Sequence, residues 1–436
     1  MKYIPVIGLE VHVELNTKTK MFCRCSTDYF GKEPNTHTCP VCLGLPGALP
    51  YINKKAIEKC IMIGLALNCT VSEKSLFERK NYFYPDLPKG YQISQYRWPL
   101  NVNGFLLVGQ RKKIRINRAH QEEDTAKLTH SGNESLIDFN RSGVPLVEIV
   151  TEPDFTDTSE VKDYAKKLQQ ILRYLGVSNA DMEKGDMRLE ANVSVRPVGQ
   201  KELPSYRVEL KNINSFRFMV AAIEYEIKRQ IEALEKGQKL HQETRGWDED
   251  KKETFLQRSK EEANDYRYFP EPDLPEIKIK SDEIRIIREK LPELPDSKRR
   301  RFEQELKIKS ADARVLTESK ELAEFFEKTV EVGKANNVSP QQIANYIINR
   351  KPDINSVSPD QIVKDIASKG TGVIGDIKEL EKVCKEVVAE NQATVGDFTK
   401  GKVNAMQALI GAVMKKTAGK ADVSKAREIL EKLIKV

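Results

Sequence analysis

The chain has 436 residues, 39% of them hydrophobic, with 72 Lys and Arg against 65 Asp and Glu for a formal net charge of +7. That length exceeds one small core and implies two or three domains, while no apolar run approaches the roughly 18 residues that a spanning helix needs. The mild basic surplus permits a polyanionic partner without requiring one, and Met1 to Pro5 lack the layout of a signal or transit peptide, so a cytoplasmic protein with no membrane attachment is expected.

From the N-terminus, residues 6–15 alternate strictly. Ile7, Leu9, Val11, Val13 and Leu15 face one way, and Glu10, His12 and Glu14 the other. Next come Cys23-x-Cys25 and, after thirteen intervening residues, Cys39-Pro-Val-Cys42 with Gly44 just beyond. Two close thiol pairs suit tetrahedral Zn²⁺, and four thiolates leave no open position for substrate, so the site is expected to be structural. Cys60, Cys69 and Cys384 read as ordinary small hydrophobes.

Residues 78–96 interleave aromatics, cations and amides, among them Arg79, Lys80, Tyr82, Tyr84 and Tyr96. Two readings stand there: faces that stack a purine or an unpaired RNA end, or a proline-punctuated loop packed by its own tyrosines. The strand-like run 113–117 leads into Arg118-Ala119-His120-Gln121-Glu122-Glu123-Asp124. Alone this is a charged turn; beside His12 and Glu148 it supplies a further ligand, expected to be Glu123.

Strand patterns recur at 144–152, 187–196 and 206–211, with Glu148, then Arg188, Glu190 and Asn192, then Arg207, Glu209 and Lys211 on their polar faces. Helices are predicted over 159–175, capped by Gly176, and over 219–236, ended by Gly237. Helices on one face of a sheet and polar strand faces on the other make an α+β layer. Proline density at 268–275 predicts a linker, Pro292 and Pro295 a second break, and the remainder reads as helical.

Any one polar strand face is explained by solvent. Four such strands, if they are neighbours, bring carboxylates, an imidazole and cations to one surface, which suits Mg²⁺ carrying nucleotide phosphates. P-loop and dinucleotide fingerprints are absent from the sequence, as are a Ser/His/Asp arrangement and an amidase signature. In the tail, Lys415, Lys416, Lys420, Lys425 and Arg427 form either a solvated face or a contact to a phosphate backbone.

Several of these stretches carry a resemblance: Gly8 to Leu15, Arg79 to Asp86, Tyr91 to Gln95, Glu122 to Asp124, Pro145 to Asp154, Glu209 to Phe216 and Asp265 to Pro272. Together they resemble the B-subunit family of heterotrimeric, GatCAB-type tRNA-dependent amidotransferases. Gly401 to Lys420 is similar to that family's C-terminal tRNA-associated module. The resemblance implies a glutamine-synthetase-like catalytic domain with an antiparallel sheet over 1–290, holding the zinc knuckle 23–42. A helical domain over 291–375 and a helical tail module over 376–436 would follow.

The resemblance also implies a ligase reaction. ATP phosphorylates the side-chain carboxylate of Glu-tRNA(Gln) or Asp-tRNA(Asn), and ammonia displaces the phosphate. An A subunit makes that ammonia from glutamine, and a small C subunit clamps A to B. Residue by residue, His12, Glu123 and Glu148 would be Mg²⁺ ligands, with Glu10 and Glu190 close by. Lys80, Tyr82, Lys211 and Asn214 would contact the nucleotide or the acyl phosphate, and Cys23, Cys25, Cys39 and Cys42 would hold Zn²⁺. The alternative is a non-catalytic, tRNA-binding scaffold subunit. Two departures stand out: Arg188-Leu189-Glu190-Ala191-Asn192 occupies the place of the family's Arg-Cys-Asp-Ala-Asn, and the region 350–378 is shorter than usual.

Overall fold

The computed structural model of the chain describes residues 2–109, 111–259, 266–370, 377–399, 402–417 and 421–434. Asp265, Gly401, Lys420 and the expected domain boundary at 375/376 lie outside the described residues. The chain forms two units, Met1–Ser297 and Lys298–Val436.

All the described strands belong to the first unit. They begin with β1 (Tyr3–Glu14), β2 (Thr70–Val71), β3 (Lys74–Ser75), β4 (Glu78–Asn81) and β5 (Tyr91–Ser94). Then come β6 (Asn101–Val108), β7 (Lys112–Glu123), β8 (Lys127–Ser131), β9 (Glu134–Asp138) and β10 (Pro145–Thr151). The last are β11 (Met187–Pro197), β12 (Val208–Ile213), β13 (Glu243–Asp248), β14 (Glu253–Ser259), β15 (Phe269–Pro270) and β16 (Ile277–Lys278). Nine of them make one sheet in the order β14-β13-β12-β11-β1-β10-β7-β6-β2. Neighbours run antiparallel except β12 and β13, which are parallel. The four strands singled out by their polar faces are therefore adjacent, β12-β11-β1-β10, and β7 joins them next to β10.

Strand alternation sorts the two faces. Leu9, Val11 and Val13 of β1, Val147 and Ile149 of β10, and Leu189, Ala191 and Val193 of β11 enter one core, each at most 1% exposed. Helices α1 (Lys54–Ala66), α2 (Thr158–Leu175) and α3 (Phe216–Glu235) contribute to the same core. In α2 the stripe Val161, Ala165, Leu168, Leu172 and Leu175 is buried, each leucine contributing about 1.5–3 kcal/mol. Asp157 caps its start by accepting from the Ser159 N–H at 2.7 Å, and Gly176 ends it at φ 64°. Helix α3 starts three residues earlier than its apolar stripe suggests, because Ser215 accepts from the Phe218 N–H at 3.1 Å.

Residues 268–278 are not a linker leaving the unit. β15 pairs with β4, and β16 with β3. Buried Glu271 accepts two hydrogen bonds from Arg79, at 2.6 and 2.8 Å. Proline forbids only a donor at its own position, and a two-residue edge strand tolerates that. Helix α4 (Ser281–Glu289) follows, and α5 (Pro295–Gln304) runs across the boundary between the units.

Among its described residues the second unit is entirely helical. Helices α6 (Ser310–Leu316), α7 (Lys320–Ala335), α8 (Pro340–Arg350) and α9 (Pro359–Gly370) bury Phe326, Ile343, Ile347 and Ile362 with Phe302. A separate core of Leu380, Val387, Leu409, Val413 and Leu430 is built by α10 (Ile377–Glu390), α11 (Gln392–Thr399), α12 (Val403–Lys416) and α13 (Val423–Ile434). Among the described residues no helix is long and apolar enough to cross a membrane.

Candidate active site and metal centre

Pairing register builds the site. His12 on β1 stands opposite Glu148 of β10 on one side and Arg188 of β11 on the other. Two residues earlier Glu10 stands opposite Glu190, and beyond β10, His120 of β7 stands opposite Glu148. A bulge in β12 opposite Glu190 brings the Lys211 ammonium to 2.9 Å from Glu190 and 3.3 Å from Glu209.

Two groups result, each with its candidate ligand atoms within 4.8 Å of one another: His12, Glu122 and Glu148, and Glu10, Glu190 and Glu209. In the first, His12 Nε2 lies 3.7 Å from Glu148, and His120 Nε2 lies 3.3 Å from Glu122 and 3.8 Å from Glu148. Arg118 donates to Glu148 at 3.2 Å. In the second, Asn192 donates to Glu10 at 2.8 Å, and the Thr244 hydroxyl donates to Glu209 at 3.1 Å.

The electrostatics of the two groups differ. Burial pushes the Glu148 carboxyl up, but His120, His12 and Lys80 outweigh it and hold that carboxyl well below its ordinary range. Burial and Glu148 likewise push Glu122 up, and His120 and Lys80 prevail to lower it. Burial works against the His12 imidazolium, yet Glu148 raises its pKa overall. At Glu10 no cation prevails: burial, then Glu148, Glu190 and Glu209, raise its carboxyl. An acid raised by like charges lowers its energy when a cation arrives, and a divalent ion with oxygen ligands is such a cation.

Glu123 is turned away from this group. Its carboxylate accepts from Lys89 at 2.6 Å and from the Ile93 N–H at 2.9 Å, on the opposite face of β7 from Glu122. β7 continues as strand to Glu123 instead of ending near residue 117, so the period of two puts Glu122, not Glu123, beside His12 and Glu148. Lys89 in turn runs over Gly44, where any Cβ would collide with the lysine chain.

Lys80 lies on β4, its ammonium 5.1 Å from the Tyr266 ring. Burial opposes its charge, but Glu122, Tyr268, Glu148 and Tyr82 raise its pKa overall. Tyr82 meets Tyr266 edge-on at 5.9 Å, Tyr268 stacks on Tyr96 at 4.7 Å, and Arg118 covers Tyr96 at 5.0 Å. The 78–96 segment contains a short strand pair, β4 and β5, with Tyr82 and Tyr96 packed against Tyr266 and Tyr268 as a wall beside the carboxylates. Asn214 lines a cleft of about 790 Å³ with Arg188, Glu190, Arg141 and Lys184. A second cleft, of about 500 Å³, is lined by Glu10, Asn192, Arg118 and Arg207.

The four knuckle cysteines converge as well. Their sulfurs lie within 4.8 Å of one another, and Cys39 and Cys42 are 3.8 Å apart, the separation of two ligands about 2.3 Å from a tetrahedral Zn²⁺. Cys42 is pulled down to about 5, first by its hydrogen bond with Cys23 and then, against burial, by the Lys20 ammonium.

A sheet that gathers acids, imidazoles and cations on one face has the donor set that could hold a divalent cation and the phosphate oxygens bound to it. The family model described as the GatB/GatE catalytic domain matches residues 5–285, and the model of the GatB domain matches residues 302–434. The B subunits of aspartyl/glutamyl-tRNA(Asn/Gln) amidotransferases are similar along the whole chain. Those of Persephonella marina and Carboxydothermus hydrogenoformans are each 46% identical, over 479 and 485 residues, with 100% of both chains covered. That of Dehalococcoides mccartyi is 46% identical over 489 residues, with 99% of each chain covered. The chain belongs to the GatB family. An alignment of 479 positions against 436 residues also means that the chain lacks segments its relative carries.

Proposed function

We propose that this chain is the amidating subunit of a tRNA-dependent amidotransferase. It uses ATP to phosphorylate the side-chain carboxylate of Glu-tRNA(Gln), Asp-tRNA(Asn) or both, and ammonia released from glutamine by an A subunit then displaces the phosphate. A C subunit completes the heterotrimer. The observation that carries this reading is the likeness to B-subunit relatives over the whole chain, joined to two carboxylate groups on one sheet face. In this reading the first unit is a catalytic domain of the glutamine-synthetase kind. The exposed Lys415, Lys416, Lys425 and Arg427 of the second unit face the tRNA backbone.

A carboxylate is a poor electrophile, and phosphorylation gives it a leaving group. His12, Glu122 and Glu148 would hold one Mg²⁺, and Glu10, Glu190 and Glu209 a second. Bound there, Mg²⁺ supplies charge neutralisation at phosphate oxygens. Lys211, placed between Glu190 and Glu209, is positioned to follow the charge that passes from ATP to the acyl phosphate. Lys80 and the Tyr82, Tyr266 and Tyr268 rings close one side of the site, while Asn214 and Arg188 face the larger cleft, which takes the acceptor end. The knuckle cysteines hold a structural Zn²⁺ that takes no part in the chemistry.

The test supplies the chain and its A and C partners with Mg²⁺-ATP, ammonium and Glu-tRNA(Gln), and scores glutamine on the tRNA against a control with free glutamate. Amide formed only on tRNA, and lost in Glu148→Gln, is the expected result. Tight tRNA binding without ATP consumption would favour the scaffold reading instead.

A further inference from the structure

Lys20 is a lysine without any exposed surface. Its ammonium donates to the carbonyl of His37 at 2.7 Å and to that of Phe139 at 3.4 Å, and its third partner is Cys42 Sγ at 3.6 Å. Burying an ammonium is costly unless an anion accompanies it. Two carbonyls supply dipoles but no charge. Four thiolates around Zn²⁺ carry a net double negative charge, also costly to bury without a cation. Each burial cost offsets the other when the two sit together.

We propose that Lys20 is a positioning residue of the four-cysteine site: its buried ammonium balances the charge of the metal-loaded tetrad and fixes Cys42 through an N–H···S hydrogen bond. The inference rests on the reading of that tetrad as a zinc site. The surroundings fit it. Cys42 Sγ also accepts from the Cys39 N–H at 3.2 Å, so this one sulfur is held from two directions. Gly143, at φ 87°, lies against both Cys42 and the Lys20 stem, and the Ser142 hydroxyl donates to the Cys42 carbonyl at 3.3 Å. Through Phe139, Ser142 and Gly143 the tetrad is tied to the segment that leads into β10, the strand of Glu148.

The experiment compares full-length wild type, Lys20→Met, Cys39→His and the double variant. Zinc content is read by elemental analysis, zinc affinity by competition with a chromogenic chelator, and ligand geometry by the thiolate-to-metal absorption of the Co²⁺-loaded protein. Wild type is expected to hold a full equivalent of zinc, and Lys20→Met to bind it about 10- to 100-fold more weakly, the loss typical of an outer-shell partner, with a shifted Co²⁺ band. Cys39→His removes one negative charge from the tetrad, so the effect of Lys20→Met should shrink in that background. Rescue by Cys39→His of an insoluble Lys20→Met chain would support the same conclusion.

Equal zinc affinity in wild type and Lys20→Met overturns the proposal. An undiminished loss in the Cys39→His background, or insolubility whichever residue stands at 39, overturns it too, because either makes Lys20 a carbonyl tether and not a charge balance. Failure of the zinc reading itself looks different: wild type then takes up no zinc at all.

Discussion

Glu122 and Glu123 are adjacent acids with opposite roles in the structure, and a pair of substitutions separates them. Glu122 shares a site with His12 and Glu148, whereas Glu123 is paired with Lys89, both side chains nearly out of solvent at 4% and 11% exposure. Glu122→Gln keeps the shape and removes one of three candidate ligands. The Mg²⁺ concentration that half-saturates amide formation should rise at least about tenfold, the lower end of what even outer-shell partners cost. Glu123→Gln leaves that concentration unchanged and instead strands the Lys89 ammonium. Breaking a buried pair from one side costs about 3–5 kcal/mol, which in a unit of 297 residues lowers its melting transition by roughly 5–8 °C. The assays are a Mg²⁺ titration of amide formation and differential scanning calorimetry on the same preparations. If Glu123→Gln shifts the Mg²⁺ requirement and Glu122→Gln does not, the assignment by strand period is refuted.

Three further outcomes follow from the same geometry. Glu10 has a folded pKa raised above the ordinary value, so the unliganded site is relatively favoured when protonated and loses stability as pH rises from the ordinary carboxylate range of about 4.3 upward. Stabilisation by Mg²⁺ should therefore be larger at pH 7.5 than near pH 4.5, and a melting-temperature gain independent of pH would count against the site. Arg79→Met leaves Glu271 buried and unpaired, at about 3–5 kcal/mol; limited proteolysis should then cut near 268–275 well before the rest of the first unit, and an unchanged digestion pattern would show that β15 is held by other means. Stripping zinc from the four-cysteine site with a chelator should lower the melting temperature without abolishing ATP hydrolysis in the complex, because the tetrad lies outside both carboxylate groups; complete loss of hydrolysis in still-folded protein would contradict a structural role.

The strict alternation of β1 is enough to sort Leu9, Val11 and Val13 from Glu10 and His12, because a strand with one buried face writes that division into its sequence. The knuckle is equally legible, since its four cysteines lie within twenty residues of one another. Glu122 escapes a sequence reading for a local reason. The apolar pattern of β7 fades near residue 117, and without the strand's full length no face can be counted for a run of three acids. His120 is passed over because a single histidine looks the same in a core and in a site; only its register with Glu148 distinguishes them. Helix α1 goes unnoticed because Ala56, Ile57, Cys60, Ile61, Ile63 and Leu65 are all buried, which blurs the apolar stripe that marks a surface helix. The prolines of 268–275 suggest a linker, and what holds that segment, Arg79 on Glu271, acts between residues far apart in sequence.

β1 has a further consequence, for biogenesis. β1 is a central strand, and its two partners, β10 and β11, follow much later in the chain, beginning at residues 145 and 187. At typical translation speeds of about 5–20 residues per second, it stays without both neighbours for roughly 10–40 s. Its apolar side, Leu9, Val11 and Val13, is exposed in the nascent chain for that whole interval, a template for pairing with the wrong strand. Co-translational chaperones should therefore engage β1 soon after it emerges and release it only after β11 has cleared the exit tunnel, and translation slowed between residues 15 and 197 should raise the aggregated fraction.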